Sequence, residues 1–345
     1  MNIHTAIKNI KWRFSKLLFG QEKHNWHIVL LENKDFKKGY YIPLDEYTAK
    51  APVKSTKCKK AVCLFDGKIK NGGLADRLRG IISIYEICKK TNCEFKIIFN
   101  HPFVLSQFLE PNTINWLMEQ DDLSFNTKKT DICYIETLAG TQYEAKMQKE
   151  WFTKELSKNY SEFHIRTNAF FSYYSNYSEL FHELFKISPR LQRQIDVQKE
   201  ILGVHYLSAS FRFLNLLNDF NEPFGRKKVL DENEKKSLVK SNLEQLEILH
   251  KKNPNRKILV NSDSTTFLNK AAELDFVYTI PGNITHIDGN NCSDEYLTYE
   301  KTFLDFFMIA NAERIYLMRT GLMYNSGYPY AASKIYNRPF ETIEF

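Results

Sequence analysis

Short apolar runs alternate with amphipathic segments from about residue 60 to the end of the chain, and that order restricts the fold more than any other feature. AVCLF (61–65) reads as a buried strand. Leu74, Leu78, Ile81, Ile82, Tyr85 and Cys88 then mark a helix, and FKIIF (95–99) a second strand. Weaker units run to about residue 200, where helical patterns over 177–202 read as a long connection. YLSASFRF (206–213), ILVNSD (258–263), FVYTI (276–280), RIYLM (314–318) and ETIEF (341–345) are further strands. Asp231 and Glu234 form a capping box before Leu238, Val239, Leu243, Leu246 and Leu249, which keep a helical period. Strands and helices in strict alternation predict parallel sheets covered on both faces. The expected architecture is α/β, with two Rossmann-like domains facing a cleft. Residues 1–55 form a basic leader, 56–202 an N-terminal domain and 203–345 a C-terminal domain. In such sheets ligands bind outside the carboxyl ends of the strands.

Composition narrows the function classes. Of 345 residues 43% are hydrophobic, enough for substantial cores. No run approaches the roughly 20 apolar residues of a membrane-spanning helix, and the N-terminus lacks a secretory signal pattern. A cytoplasmic location is expected. The six cysteines show no C-x-x-C spacing and read as reduced thiols, and the nine histidines form no metal-binding pattern. No metal site is expected. The net charge of +7 is uneven: residues 1–70 carry fifteen Lys/Arg against six Asp/Glu, a net of +9, so the rest stands at −2. A near-neutral body argues against nucleic acid as a partner.

In the leader, Ile7, Ile10, Phe14, Leu17 and Leu18 share one helical face, with Lys8, Arg13 and Lys16 elsewhere. Residues 6–19 fit a helix lying on an anionic membrane, which would place the protein peripherally on the inner face of the cell membrane. A surface helix docked on the protein's own core, or a frayed end, fits equally.

The polar residues worth singling out sit at strand ends. Gly72 and Gly73 open the first helix, with Asp76 and Arg77 in its first turn. Glycines admit positive φ and close ligand approach, and free amides favour an anion; Asp76 also simply suits the helix dipole. Arg212 ends a strand among apolar neighbours, where a guanidinium needs an anion: a diphosphate, or a structural partner such as Asp219 or Glu222. In Asn261-Ser262-Asp263-Ser264 the Ser and Asp residues are N-cap types that also suit a ribose or base. Pro281-Gly282 follows the next strand, with His286 and Asp288 behind it. Asp305 lies in TFLDFFMIA. A carboxylate there needs donors, either two adjacent N–H groups such as guanine offers or a neighbouring backbone cap. Ser326 and Gly327 precede a last helix.

In order and spacing these motifs resemble the fucosyltransferase superfamily, which includes bacterial α-1,2- and α-1,6-enzymes and the protein O-fucosyltransferases. Gly72-Gly73-Leu74-Ala75-Asp76-Arg77 is similar to its G-G-L-G-N-[QR] turn, with Ala75 for the third glycine and Asp76 for the usual Asn. Arg212 matches the arginine of its H-x-R-x-G-D motif, while Ser210 replaces the His, Leu214 the Gly and Asn215 the Asp. Asn261-Ser262-Asp263-Ser264, Asp305 and Ser326-Gly327 correspond to its later turns. The resemblance implies a GT-B-like fold and a glycosyltransferase that inverts the anomeric centre. Gly72, Gly73, Asp76 and Arg77 would line the acceptor side. Arg212, Ser262, Asp263, Asp305, Ser326 and Gly327 would hold the donor, expected to be GDP-fucose, with no other cofactor. The chain has no D-x-D, so Arg212 and the Ser326–Gly327 amides are expected to neutralise the leaving diphosphate without a metal. Asp76 is the first candidate base, with Glu222 and Asp219 in reserve. A glycan or lipid-linked oligosaccharide of polysaccharide biosynthesis is the expected acceptor. The alternatives are a different sugar nucleotide on the same architecture, or an inactive nucleotide-binding protein.

Overall fold

The computed structural model describes residues 46–54, 58–68, 71–135, 142–168, 175–220, 228–285, 287 and 295–345. The leader helix, His286, Asp288 and Glu222 lie outside these. The chain divides into two compact units: residues 1–101 with 111–184, and residues 102–110 with 185–345.

The first unit is built on four parallel strands: β1 (Lys60–Phe65), β2 (Glu94–Phe99), β4 (Thr130–Ile135) and β5 (Glu162–Thr167), in the order β2-β1-β5-β4. Ala61 to Phe65 are all buried, as the apolar run requires. Helix α1 (Leu74–Thr91) follows β1 and ends at Asn92, which takes the left-handed conformation. Gly80 lets this helix touch the sheet. A Cβ there would stand 2.1 Å from the Thr167 carbonyl oxygen. Helices α2 (Gln142–Ser157) and α3 (Tyr177–Leu184) pack on α1.

The second unit carries five parallel strands in the order β11-β10-β7-β8-β9: β7 (Tyr206–Phe211), β8 (Lys257–Ser262), β9 (Val277–Tyr278), β10 (Arg314–Arg319) and β11 (Phe340–Glu344). Chain order reverses between β7 and β10, the doubly wound arrangement. FVYTI yields only two strand residues; β9 is the edge strand of the sheet, and Pro281 and Gly282 follow two residues after it. Helices α4 (Pro189–Leu202), α5 (Glu232–Lys252), α6 (Thr265–Ala271), α7 (Glu295–Asn311) and α8 (Tyr328–Ile335) complete this unit. The second unit begins at Phe185, so α4 belongs with it and packs on α7. Two short strands, β3 (Leu109–Pro111) and β6 (Phe185–Ile187), pair beside it. The segment 102–110 brings Phe108 into an aromatic column: its ring stacks on Tyr296 at 4.6 Å and on Phe303 at 4.1 Å, and Arg190 caps Tyr296 at 3.5 Å.

Candidate functional site

Arg212 lies one residue past the carboxyl end of β7, beside the β7–β10 switch point. Its Nε is 3.4 Å from Asp263 Oδ2, its guanidinium lies over the Phe220 ring at 5.1 Å, and about a quarter of its side chain is exposed. Its carbonyl accepts the Tyr324 amide at 3.0 Å, which ties the loop after β10 to the end of β7. Of the two partners expected for Arg212 from the sequence, Glu222 lies outside the described residues, and Asp219 is engaged at α6. Asp219 Oδ2 accepts from the Ser264 hydroxyl at 2.7 Å and the Thr266 amide at 2.8 Å, and so holds the start of α6.

Asp263 is the brace of this corner. It follows β8, is 3% exposed, and takes the Phe213 amide at 2.8 Å and the Leu214 amide at 2.7 Å. Burial pushes its carboxyl above the usual aspartate range, against the opposing pull of Arg212 and the two amides. Of the capping residues expected in Asn261-Ser262-Asp263-Ser264, Ser264 caps α6 through the Phe267 amide, while Asp263, also expected near the nucleotide, faces inward, where it fixes the turn that carries Arg212. Leu214 holds φ at +54°, a conformation that favours glycine. The position at which the resemblance asks for glycine thus keeps the glycine-type backbone without the residue. Ser262, half-buried, accepts the Ser264 amide at 3.1 Å. Ser210, where the resemblance asks for histidine, is buried and donates to Asn261 at 2.7 Å.

Ser326 and Gly327 lead into α8 after β10. Among the described residues, no atom beyond the chain neighbours lies within 4 Å of a Cβ placed on Gly327. Ser326 Oγ accepts the Tyr328 amide at 3.4 Å. Asp305 on α7 meets Lys301 one turn earlier: the ammonium is 3.1 Å from Oδ1 and 3.0 Å from Oδ2. Its donor is thus a lysine and not a backbone cap. Burial raises the Asp305 carboxyl and Lys301 opposes the rise. Tyr328, at the start of α8, is close enough for the Asp305 charge to act on its phenol, and its hydroxyl donates to the Thr302 carbonyl. Asp305 and the opening of α8 therefore belong to one neighbourhood of the second unit.

In the first unit the glycine turn has a conformational cause. Gly72 holds φ at +75°, and a Cβ on it would stand 2.5 Å from Asp76 Oδ2. Gly73 has ordinary backbone and room for a side chain. Asp76 Oδ2 accepts the Gly73 amide at 3.1 Å, and Oδ1 pairs with Arg79 at 2.9 Å. Arg77, expected at the acceptor side, is 3% exposed. Its Nε donates to the Gly72 carbonyl and its Nη1 to the His101 carbonyl, both at 2.9 Å, beneath the Phe65 and Phe99 rings. It clamps two loops together and offers little to a ligand.

The sequence reading missed a buried polar ladder on β5. Glu162, His164 and Arg166 point to one face, as period-2 geometry requires. Glu162 Oε1 accepts from the Ser124 amide at 2.8 Å and lies 2.6 Å from His164 Nε2, while His164 Nδ1 is 2.6 Å from the Tyr47 hydroxyl. Arg166 is fully buried and pairs with Asp66, just past the end of β1. The available signal was charged residues at two adjacent strand ends, in LFDG and HIRT. Asp131, Cys133 and Glu155 bring ligand atoms within 4.8 Å of one another, but the Lys158 ammonium pairs with both carboxylates. That cluster also sits at the amino end of β4, away from the end where parallel sheets bind ligands.

No family model matches the chain, and no curated protein matches it. Solved structures share its fold. The fucosyltransferase NodZ from Bradyrhizobium aligns at a TM-score of 0.52 and 12% identity, over 84% of this chain and 95% of that one. NodZ α-1,6-fucosyltransferase soaked with GDP-fucose gives 0.51 and 11%, over 83% and 95%. POFUT1 in complex with GDP gives 0.51 and 10%, over 84% and 99%. A variant of Arabidopsis thaliana FUT1 in complex with GDP gives 0.50 and 10%, over 90% and 74%. The α/β architecture of two parallel-sheet units is the GT-B-like fold of these fucosyltransferases.

Proposed function

We propose that the chain is a glycosyltransferase that moves fucose from GDP-fucose to a glycan or lipid-linked glycan. One observation carries this reading. Arg212 stands at the end of β7, braced by Asp263, and its carbonyl is tied to the loop that opens α8 after the adjacent strand β10. A guanidinium and the Ser326–Gly327 amides, on either side of a switch point, suit the two phosphates of a nucleoside diphosphate. Structures with this fold that were solved with GDP or GDP-fucose support the choice of donor.

In the reaction the bond from fucose C1 to the diphosphate oxygen breaks and a bond from C1 to the acceptor oxygen forms, with inversion. Arg212 and the Ser326–Gly327 amides take up the charge on the departing oxygens, a role for which the chain offers no D-x-D. The acceptor proton passes to a carboxylate. Asp76 fills that role in this reading; Gly73 and Arg79 orient it, and lone pairs remain on both oxygens. A different donor is the second reading, favoured by Ser210 being buried against Asn261 where a histidine would be expected.

The test is transfer from labelled GDP-fucose to candidate acceptors, with thermal shifts in GDP, UDP, dTDP and ADP. Wild type is expected to be stabilised most by GDP, and Arg212→Ala to lose at least about a hundredfold in turnover. Chelator should leave transfer intact. Stabilisation by another nucleotide alone would favour the second reading. GDP binding without transfer or hydrolysis would favour an inactive binding protein.

A further inference from the structure

Three of the described cysteines gather at the amino end of the first sheet, at the opposite end of α1 from the glycine turn. Cys88 lies in the last turn of α1 and is 2% exposed; Cys93 stands just before β2 and is 7% exposed. Five positions apart, they follow neither a helical nor a strand period. Asn92 brings them together. It holds φ at +51°, and the Cys93 amide donates back to the Cys88 carbonyl at 3.2 Å. In a helix end of this kind the side chains at those two positions commonly meet. Here both are thiols, and they hydrogen-bond to each other. Cys93 Sγ also donates to the Lys59 carbonyl, before β1, at 3.4 Å.

The two sulfurs are not equivalent. The hydrogen bond from Cys88 holds the Cys93 thiol below its usual pKa, against the opposing pull of burial and with help from the Lys59 ammonium. Burial pushes the Cys88 thiol well up. Cys93 is thus the nucleophile of the pair, and Cys88 the protonated thiol beside it. Cys58 is exposed, yet its thiol donates to Glu94 Oε2 at 2.9 Å, and that bond holds it protonated. The most accessible thiol at this corner is therefore the poorer nucleophile.

We infer that Cys88 and Cys93 form a reversible oxidation site, which takes a peroxide as oxidant and closes a disulfide between the end of α1 and the residue before β2. With hydrogen peroxide, the Cys93 thiolate attacks one oxygen; the O–O bond breaks, hydroxide leaves, and Cys93 becomes a sulfenic acid. The hydroxide takes up the proton that Cys93 had lost. The Cys88 sulfur then attacks the Cys93 sulfur. The S–O bond breaks, the S–S bond forms, and the Cys88 proton leaves with the hydroxyl as water. Two thiols are oxidised by two electrons in all, and the peroxide is reduced to two waters. A dithiol reverses the step by exchange. Because the turn already sets the thiols in contact, closure needs little backbone movement. The inference is independent of the donor and the acceptor.

Peptide mass spectrometry tests this on the full chain, treated with equimolar hydrogen peroxide, then unfolded, alkylated and digested without reduction. The peptide holding Cys88 and Cys93 should lose two hydrogens and resist alkylation, and dithiothreitol should restore both thiols. The other cysteines should remain open to alkylation. Cys88→Ser removes the resolving thiol and should leave Cys93 as a sulfenic acid that dimedone traps. Cys93→Ser should slow the loss of the Cys88 thiol at least about tenfold. The wild-type disulfide map decides the matter even where a serine variant does not fold. If Cys88 and Cys93 both stay reduced while Cys58 is oxidised, the inference is overturned. A link from Cys88 to Cys63, or from Cys93 to Cys58, overturns it as well.

Discussion

Asp263→Asn puts the brace behind Arg212 to the test. The carboxylate takes two buried backbone amides and faces a guanidinium at 3.4 Å. Asparagine keeps one acceptor and turns an NH2 group toward the other amide, so one charge-assisted bond, worth about 2 kcal/mol, is lost. A buried N–H is left facing a donor, at a further cost of about 1–2 kcal/mol. Relief of the buried charge, which its raised pKa shows to be disfavoured, returns about 1 kcal/mol. The net loss is about 2–3 kcal/mol, concentrated in the turn 212–214, where Leu214 already sits at positive φ. The described tryptophans, Trp116 and Trp151, both fall in the first unit, so their fluorescence serves as an internal control. Hydrogen exchange of peptides spanning 206–220 and 258–271 reads the second unit. Protection there should fall roughly thirty- to a hundredfold, while the urea midpoint seen by tryptophan stays put. A change below about fivefold would mean that Asp263 does not hold this corner.

Gly80→Ala should destabilise the first unit by about 3 kcal/mol or more, read as a lower urea midpoint by tryptophan fluorescence, because the new methyl meets the Thr167 backbone and no movable side chain. Burial holds the His164 imidazole below its usual pKa, against the opposing pull of Glu162, so the unfolded chain binds the proton more readily. The first unit should therefore lose stability as pH falls below about 6.5, by up to about 1.4 kcal/mol per pH unit, and His164→Gln should flatten that slope in urea titrations. An unchanged slope would mean that His164 does not carry the effect. Asp76→Asn keeps an acceptor for the Gly73 amide, so thermal stability should change little; turnover should fall about a hundredfold or more if this carboxylate takes the acceptor proton.

What the sequence disclosed and what it hid follow from physical range. β1, β7, β8 and the helix opened by Asp231 and Glu234 were legible because their signals are local. Asp231 Oδ1 accepts the Asn233 and Glu234 amides at 2.9 Å, and Glu234 Oε2 takes the Asp231 amide at 3.0 Å. β5 was faint because its inward positions are Glu162, His164 and Arg166, which together look like a polar surface. The position of Arg212 was legible, but Asp263 beside its guanidinium was not. Asp263 reaches it across two strands and about fifty residues, and no periodicity encodes that meeting. Lys301 escaped notice for another reason: a lysine one turn before an aspartate is an ordinary surface pattern, and only its burial sets it apart.

The excursion of residues 102–110 into the second unit has a practical consequence for anyone dividing this protein. A fragment cut at 185 would retain all five strands of its sheet and every residue assigned to the donor. It would nonetheless leave behind Phe108, the slab between Tyr296 and Phe303, along with the pairing partner of β6. Such a piece would bare two aromatic faces to water and invite self-association. The halves of this molecule are interlaced in the chain, and a working donor module has to be made by circular permutation or by grafting the nine-residue loop, never by simple truncation.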